Sequence, residues 1–190
     1  MNNQLLTILH ASTKLHSVRA LRYLFRNFQI PVSILLTLDE SSPLPLPPLH
    51  YAAQNGLLQI LRLILKRITE EEDSDALVNQ PFNGVPPVLY ALRSRCVHCV
   101  VALLDAGADA NLHCANGMTP LRYAVEECSN CELIQALLDY DAEPTLSTDR
   151  FNSPRAYVQS RLEPCTDASE REHWETILES FFFDCEELNI

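Results

Sequence analysis

Apolar positions along this chain fall into two kinds of block. One kind is short and opens on proline: Pro48-Leu49-His50-Tyr51, Pro87-Val88-Leu89-Tyr90, Pro120-Leu121-Arg122-Tyr123 and Pro154-Arg155-Ala156-Tyr157. The other kind is nearly continuous, at 57–65, 97–104 and 133–138, and is apolar on most helical faces, as a helix sandwiched between neighbours requires. The prolines stand 39, 33 and 34 residues apart. Two helical blocks per period of about 33 residues predict one helix-turn-helix module repeated along the chain.

Local signals agree with that division. Proline in the first helical turn lacks only an N–H that would be unpaired there anyway, and Thr119 or Ser153 before it can accept from the first free amides. The four glycines all fall at predicted turns or helix ends: Gly56, Gly84, Gly107 and Gly117. With Pro120 set against Pro87, Asn83-Gly84 falls on Asn116-Gly117 and Ala91 on Ala124. Leu103-Leu104 falls on Leu137-Leu138 once one inserted residue is allowed.

On these residues the chain resembles the ankyrin-repeat family. The segments that carry the resemblance are His50 with Ala52-Ala53 after Pro48, the run from Leu103-Leu104 through Gly107 to Asn111, and Asn116-Gly117-Met118-Thr119-Pro120-Leu121. It implies an all-α solenoid of about five helix-turn-helix repeats, irregular at both ends where the stack must be capped. The whole of 1–190 reads as one domain: a degenerate first repeat and loop over 1–41, well-matched repeats over 42–160, and a capping helix and tail over 161–190. The degenerate repeat is read from Thr7-Ile8-Leu9-His10 followed by Val18, Leu21, Leu24 and Phe25. The capping helix is placed at 169–183 on Trp174, Ile177, Leu178 and Phe181.

Two connections exceed the family's short hairpin. Residues 31–47, with Pro43, Pro45 and Pro47, read as an extended proline-stiffened loop without regular helix. The acidic run from Thr69 to Asp75 accounts for the excess in the 39-residue interval. It reads as a solvated loop or as a dock for a basic peptide.

The resemblance also implies where a partner would touch, since the family commonly uses hairpin tips and the exposed part of each first helix. By position these are Gln54, Asn55, Phe82, Val85, Arg93, Ser94, Ala115, Asn116, Met118, Glu126, Glu127, Arg150, Phe151 and Asn152. Phe82, Met118 and Phe151 are large apolar side chains at predicted tips, for which a partner is one explanation; the other, for Phe82 and Phe151, is that they tuck beneath their hairpins. Tyr51, Tyr90, Tyr123 and Tyr157 share one slot, which is either a recognition stripe or a packing position. His50 matches the family's structural histidine, which bonds backbone between modules. Asn111 matches the hairpin asparagine that an asparaginyl hydroxylase modifies in many ankyrin proteins; its ordinary role is to close the turn.

Composition narrows the partners. The formal charge of −11 repels phosphate backbones and anionic headgroups and favours a protein partner with a basic surface, so neither nucleic acid nor membrane is expected. No apolar run approaches the roughly 20 residues of a membrane span, and the start lacks the pattern of a secretory signal. Seven cysteines, several in predicted helix cores, point to reduced thiols in the cytoplasm or nucleus.

Cys96-x-x-Cys99 and Cys128-x-x-Cys131 look like zinc half-sites, with His98, His113 and Cys114 between them. The register opposes this, because Cys99 occupies the core slot of Ile60 and Leu133. Catalytic motifs are absent, and no cofactor or metal is expected. The chain reads as a monomeric intracellular protein-interaction module, an adaptor or stoichiometric inhibitor that binds through its concave face and hairpin tips, and not as an enzyme. The alternative is a metal- or redox-responsive protein using Cys96, Cys99, Cys128 and Cys131.

Overall fold

Four helix starts, those of the proline-opened blocks, carry the chemistry read from the sequence. The computed structural model describes residues 3–36, 46–128, 130–148 and 152–186. Helices α1 (Asn3–Lys14), α2 (Val18–Asn27), α3 (Ser33–Leu36), α4 (Pro48–Gln54) and α5 (Leu58–Ile68) come first. They are followed by α6 (Ser74–Val78), α7 (Pro87–Arg93) and α8 (Val97–Leu104). After Ala110 come α9 (Pro120–Tyr123), continued by a π-helical turn Ala124–Cys128, then α10 (Cys131–Leu138), α11 (Pro154–Leu162) and α12 (Ala168–Glu186). Proline occupies the first position of α4, α7, α9 and α11. Thr119 and Ser153 accept from the amides of Arg122 and Ala156, which satisfies donors that a helix start leaves free.

The chain divides into two compact units, Met1–Asp109 and Ala110–Ile190. In the first, three helix pairs lie side by side in two layers. First helices α1, α4 and α7 pack in sequence, and second helices α2, α5 and α8 do the same. The small side chains Ala52, Ala53 and Ala91 let the first layer close up, while Leu61, Ile64, Ile68, Val100 and Leu103 fill the space between layers. In the second unit α9 and the π turn pack on α10, and α11 packs on α12, with α10 against α12. Trp174, Ile177 and Phe181 are buried on α12. The described residues thus hold five helix pairs.

The residue inserted between Pro120 and the second helix of its repeat has a definite home. An i→i+5 turn takes up one residue more than an i→i+4 turn, and the chain spends it in the π turn Ala124–Cys128, keeping Leu121, Ala124 and Val125 buried.

One expectation is corrected. Within the stretch read as an extended loop, Ser33–Leu36 forms a short helix because Leu35 and Leu36 have a core to enter, and Pro31 precedes it without breaking it. Residues 37–45, which include Pro43 and Pro45, lie outside the described residues. The acidic insertion is also partly ordered: Arg67 pairs with Glu70 at 3.4 Å and with Glu71 at 2.9 Å, and α6 follows. Among the described residues no helix is long and apolar enough to cross a membrane.

Candidate interaction surface

One side-chain slot, the second residue after the opening proline, ties each first helix to a later loop. In α4 it holds His50, fully buried, with Nε2 donating to the carbonyl of Gln80 at 3.2 Å. Its ring lies 5.2 Å from Tyr90, edge to face, and 5.8 Å from Phe82. Burial lowers the His50 pKa from 6.5 to about 4, against the opposing pull of the Gln80 bond. Nδ1 is buried without a partner, so a second proton would have no acceptor.

In α9 the same slot holds Arg122. It donates to the carbonyl of Asn152 at 3.1 Å, again 30 residues on, and pairs with Glu126 at 2.9 Å. Its guanidinium lies 3.9 Å from the Tyr157 ring centre. In α1 His10 reaches the carbonyl of Ile34 at 3.5 Å. Arginine here performs the histidine's task; the sequence register puts Arg122 in the His50 slot without showing that it reaches a backbone carbonyl 30 residues on. Only 8% of Arg122 is exposed, so it was a missed anchor.

A second repeated device fixes the hairpins. Asn79 donates from Nδ2 to the carbonyl of Gly107 at 2.9 Å and accepts at Oδ1 from the amide of Asp109 at 2.8 Å. Asn111 does the same to Asp141 and Glu143, at 2.8 Å each. The candidate modification residue is therefore a two-ended brace, and Asn79 is its equivalent one repeat earlier.

Around these anchors lie the expected contact residues. In the first unit the turn after α4 lies against the turn after α7: a Cβ at Gly56 would sit 3.5 Å from the Cys96 Cβ and 3.7 Å from the Ser94 hydroxyl. This brings the helix ends carrying Gln54, Asn55 and Arg93 together, and all three are exposed. Tyr51 is half-buried. Tyr90 is only 5% exposed and its hydroxyl donates to the Phe82 carbonyl at 3.4 Å, so in this repeat the tyrosine slot is a packing position and offers a partner almost no area. Phe82 is half-buried over His50, at the base of a two-residue turn in which Asn83 and Gly84 both take positive φ. The Phe82 ring thus meets His50 beneath the hairpin.

In the second unit Met118 and Tyr123 are half-buried and Glu127 is exposed. Glu126 is committed to Arg122. Phe151 and Arg150 lie outside the described residues.

The cysteines divide by unit. Cys99 is fully buried, and burial together with its Cys96 neighbour pushes its thiol up to about 12, the opposite of what a metal ligand or a nucleophile needs. Cys128 is buried and Cys131 exposed. Among the described residues no group of three or more His, Cys, Asp or Glu is placed to hold a metal ion.

Repeated helix pairs, braced hairpins and a tethering side chain at one fixed slot define a helical repeat protein. A family model of ankyrin repeats, in three copies, matches residues 49–148, just over half of the chain, and the chain belongs to the ankyrin-repeat family. It is similar to the human transient receptor potential cation channel subfamily A member 1, with 32% identity over 92 residues. That alignment takes in 48% of this chain and spans only 8% of the channel subunit's length. Ankyrin repeats are generally protein–protein interaction modules and are typically non-enzymatic.

Proposed function

We propose that this chain is an adaptor or stoichiometric inhibitor that holds a protein partner on its hairpin tips and first-helix face. The observation that carries the reading is the juxtaposition of two helix ends at Gly56 and Ser94. There Gln54, Asn55 and Arg93 stand exposed on backbone that is already fixed, so little ordering entropy opposes association. Met118, Tyr123 and Glu127 are the corresponding contacts in the second unit. A partner with a basic surface suits the charge of −11, and a monomeric protein of the cytoplasm or nucleus is the setting proposed.

The test is affinity purification coupled to cross-linking, run with the wild-type chain, with Asn55→Arg/Arg93→Glu and with Met118→Ala. A partner that cross-links to the tips in the wild type and is lost from a variant whose melting temperature is unchanged supports the reading. Retention of every cross-linked protein by both variants removes it.

A further inference from the structure

Charge is distributed unevenly along the chain. Residues 1–38 contain Lys14, Arg19, Arg22 and Arg26 and no Asp or Glu at all, while the rest holds all 25 acids against 10 Lys and Arg. The first helix pair also holds large apolar side chains in water: Leu15 is 78% exposed and Tyr23 62%, with Ile8 at 51% and Phe28 just past α2 at 43%. These are all the exposed large apolar residues among those described. Such a concentration in one module marks a docking region more readily than single exposed residues scattered over a surface.

A cleft of about 380 Å³ lies where α2 meets α5, large enough for several side chains of a ligand. Arg22 and Arg26 line it from α2, and Lys66 and Arg67 from α5. Phe25 and Leu63, both half-buried, add apolar lining. Glu70 lines it as well, but its charge goes to Arg67, which Glu71 also meets. Arg22, Arg26 and Lys66 have no ion pair among the described residues. Three uncommitted cations beside apolar lining form a receptor for carboxylates, since each guanidinium presents a planar fork that matches a carboxylate.

We infer that this cleft binds a short acidic peptide segment carrying an apolar side chain, with Arg22, Arg26 and Lys66 taking its carboxylates and Phe25 and Leu63 its apolar group. The site goes beyond the hairpin tips and takes a ligand of the opposite charge preference. A peptide fits better than an anionic membrane or a nucleic acid. Glu70 lines the cleft itself, and Glu71, Glu72 and Asp73 follow it in sequence. An extended sheet of negative charge would meet those acids, whereas a short segment is read locally.

The experiment measures fluorescence anisotropy of a fluorescein-labelled peptide of Glu and Asp around a central Leu-Phe, with the full chain. A version carrying Lys in place of the acids is the control. Arg22→Glu/Arg26→Glu is expected to raise Kd at least about tenfold, as is Lys66→Glu from the other helix, while Arg161→Glu in the second unit stays within about twofold. Wild-type affinity should fall severalfold between roughly 50 and 300 mM NaCl, as screening grows. Circular dichroism checks each fold, and if the double variant does not fold, Lys66→Glu decides. Binding unchanged in the folded cleft variants overturns the inference. So does equal binding of the Lys peptide, or binding only to phosphatidylserine-containing vesicles. Asn55→Arg/Arg93→Glu and Met118→Ala should leave peptide binding intact, so failure here and failure of the tip surface are separable.

Discussion

His50 and Arg122 show how much one position can carry. His50 is held neutral, with a pKa of about 4 in the folded chain against 6.5 when unfolded. The unfolded chain therefore binds the extra proton first as pH falls, and stability is lost between pH 6.5 and 4. Between about pH 7.5 and 5 this residue should remove roughly 2 kcal/mol. The check is urea unfolding at both pH values: the gap in unfolding free energy between wild type and His50→Gln should narrow by that amount on acidification, and a constant gap would contradict the burial argument. Arg122→Ala removes a bond to Asn152, the pair with Glu126 and the stack on Tyr157. A loss of about 2–3 kcal/mol is expected. Trp174, the chain's one tryptophan, lies 6.2 Å from Tyr157, so its fluorescence should shift red at lower urea. Arg122→Lys should recover part of the loss, because it keeps the charge but not the planar fork.

At the scale of elements, caps and braces set the boundaries. Thr119→Ala deletes the acceptor for the Arg122 amide and should cost about 1 kcal/mol. Asn79→Ala and Asn111→Ala each strip two bonds from the next hairpin, a loss of about 1–2 kcal/mol apiece, read as a lower urea midpoint. A hairpin that loosened by hydrogen exchange in neither variant would show the braces to be idle. Gly107→Ala would add strain of about 1 kcal/mol at a φ of +93°. The close approach of its new Cβ to the Asp75 carboxylate is cheap by comparison, since that exposed side chain can swing away.

For the whole molecule, charge is the property to test. Among the described residues the pairs Arg67–Glu70, Arg67–Glu71 and Arg122–Glu126 join neighbours on one helix or turn, and the chain carries a net charge of −11. Self-repulsion should therefore outweigh attraction, and raising NaCl from about 20 to 200 mM should lift the melting temperature by roughly 2–4 °C. A falling melting temperature in differential scanning fluorimetry would mean that the ion pairs dominate.

The repeat, its helix starts and much of its core were legible in the order of residues. Proline at the first helical position, a hydroxyl before it and glycine at positive φ are local requirements that act on neighbouring residues alone, so Pro48, Thr119, Ser153 and Gly84 announced their structure directly. Cys99 was legible as core because a repeated slot has a repeated environment. The fate of the side chains that look exposed in the sequence was set by packing between segments. Tyr90 and Phe82 turned inward around His50, Arg122 reached the Asn152 carbonyl, and the cations of α2 met those of α5 across a cleft. Those outcomes depend on which residues some 30 or more positions apart become neighbours, and helix periodicity within one segment carries no record of that distance.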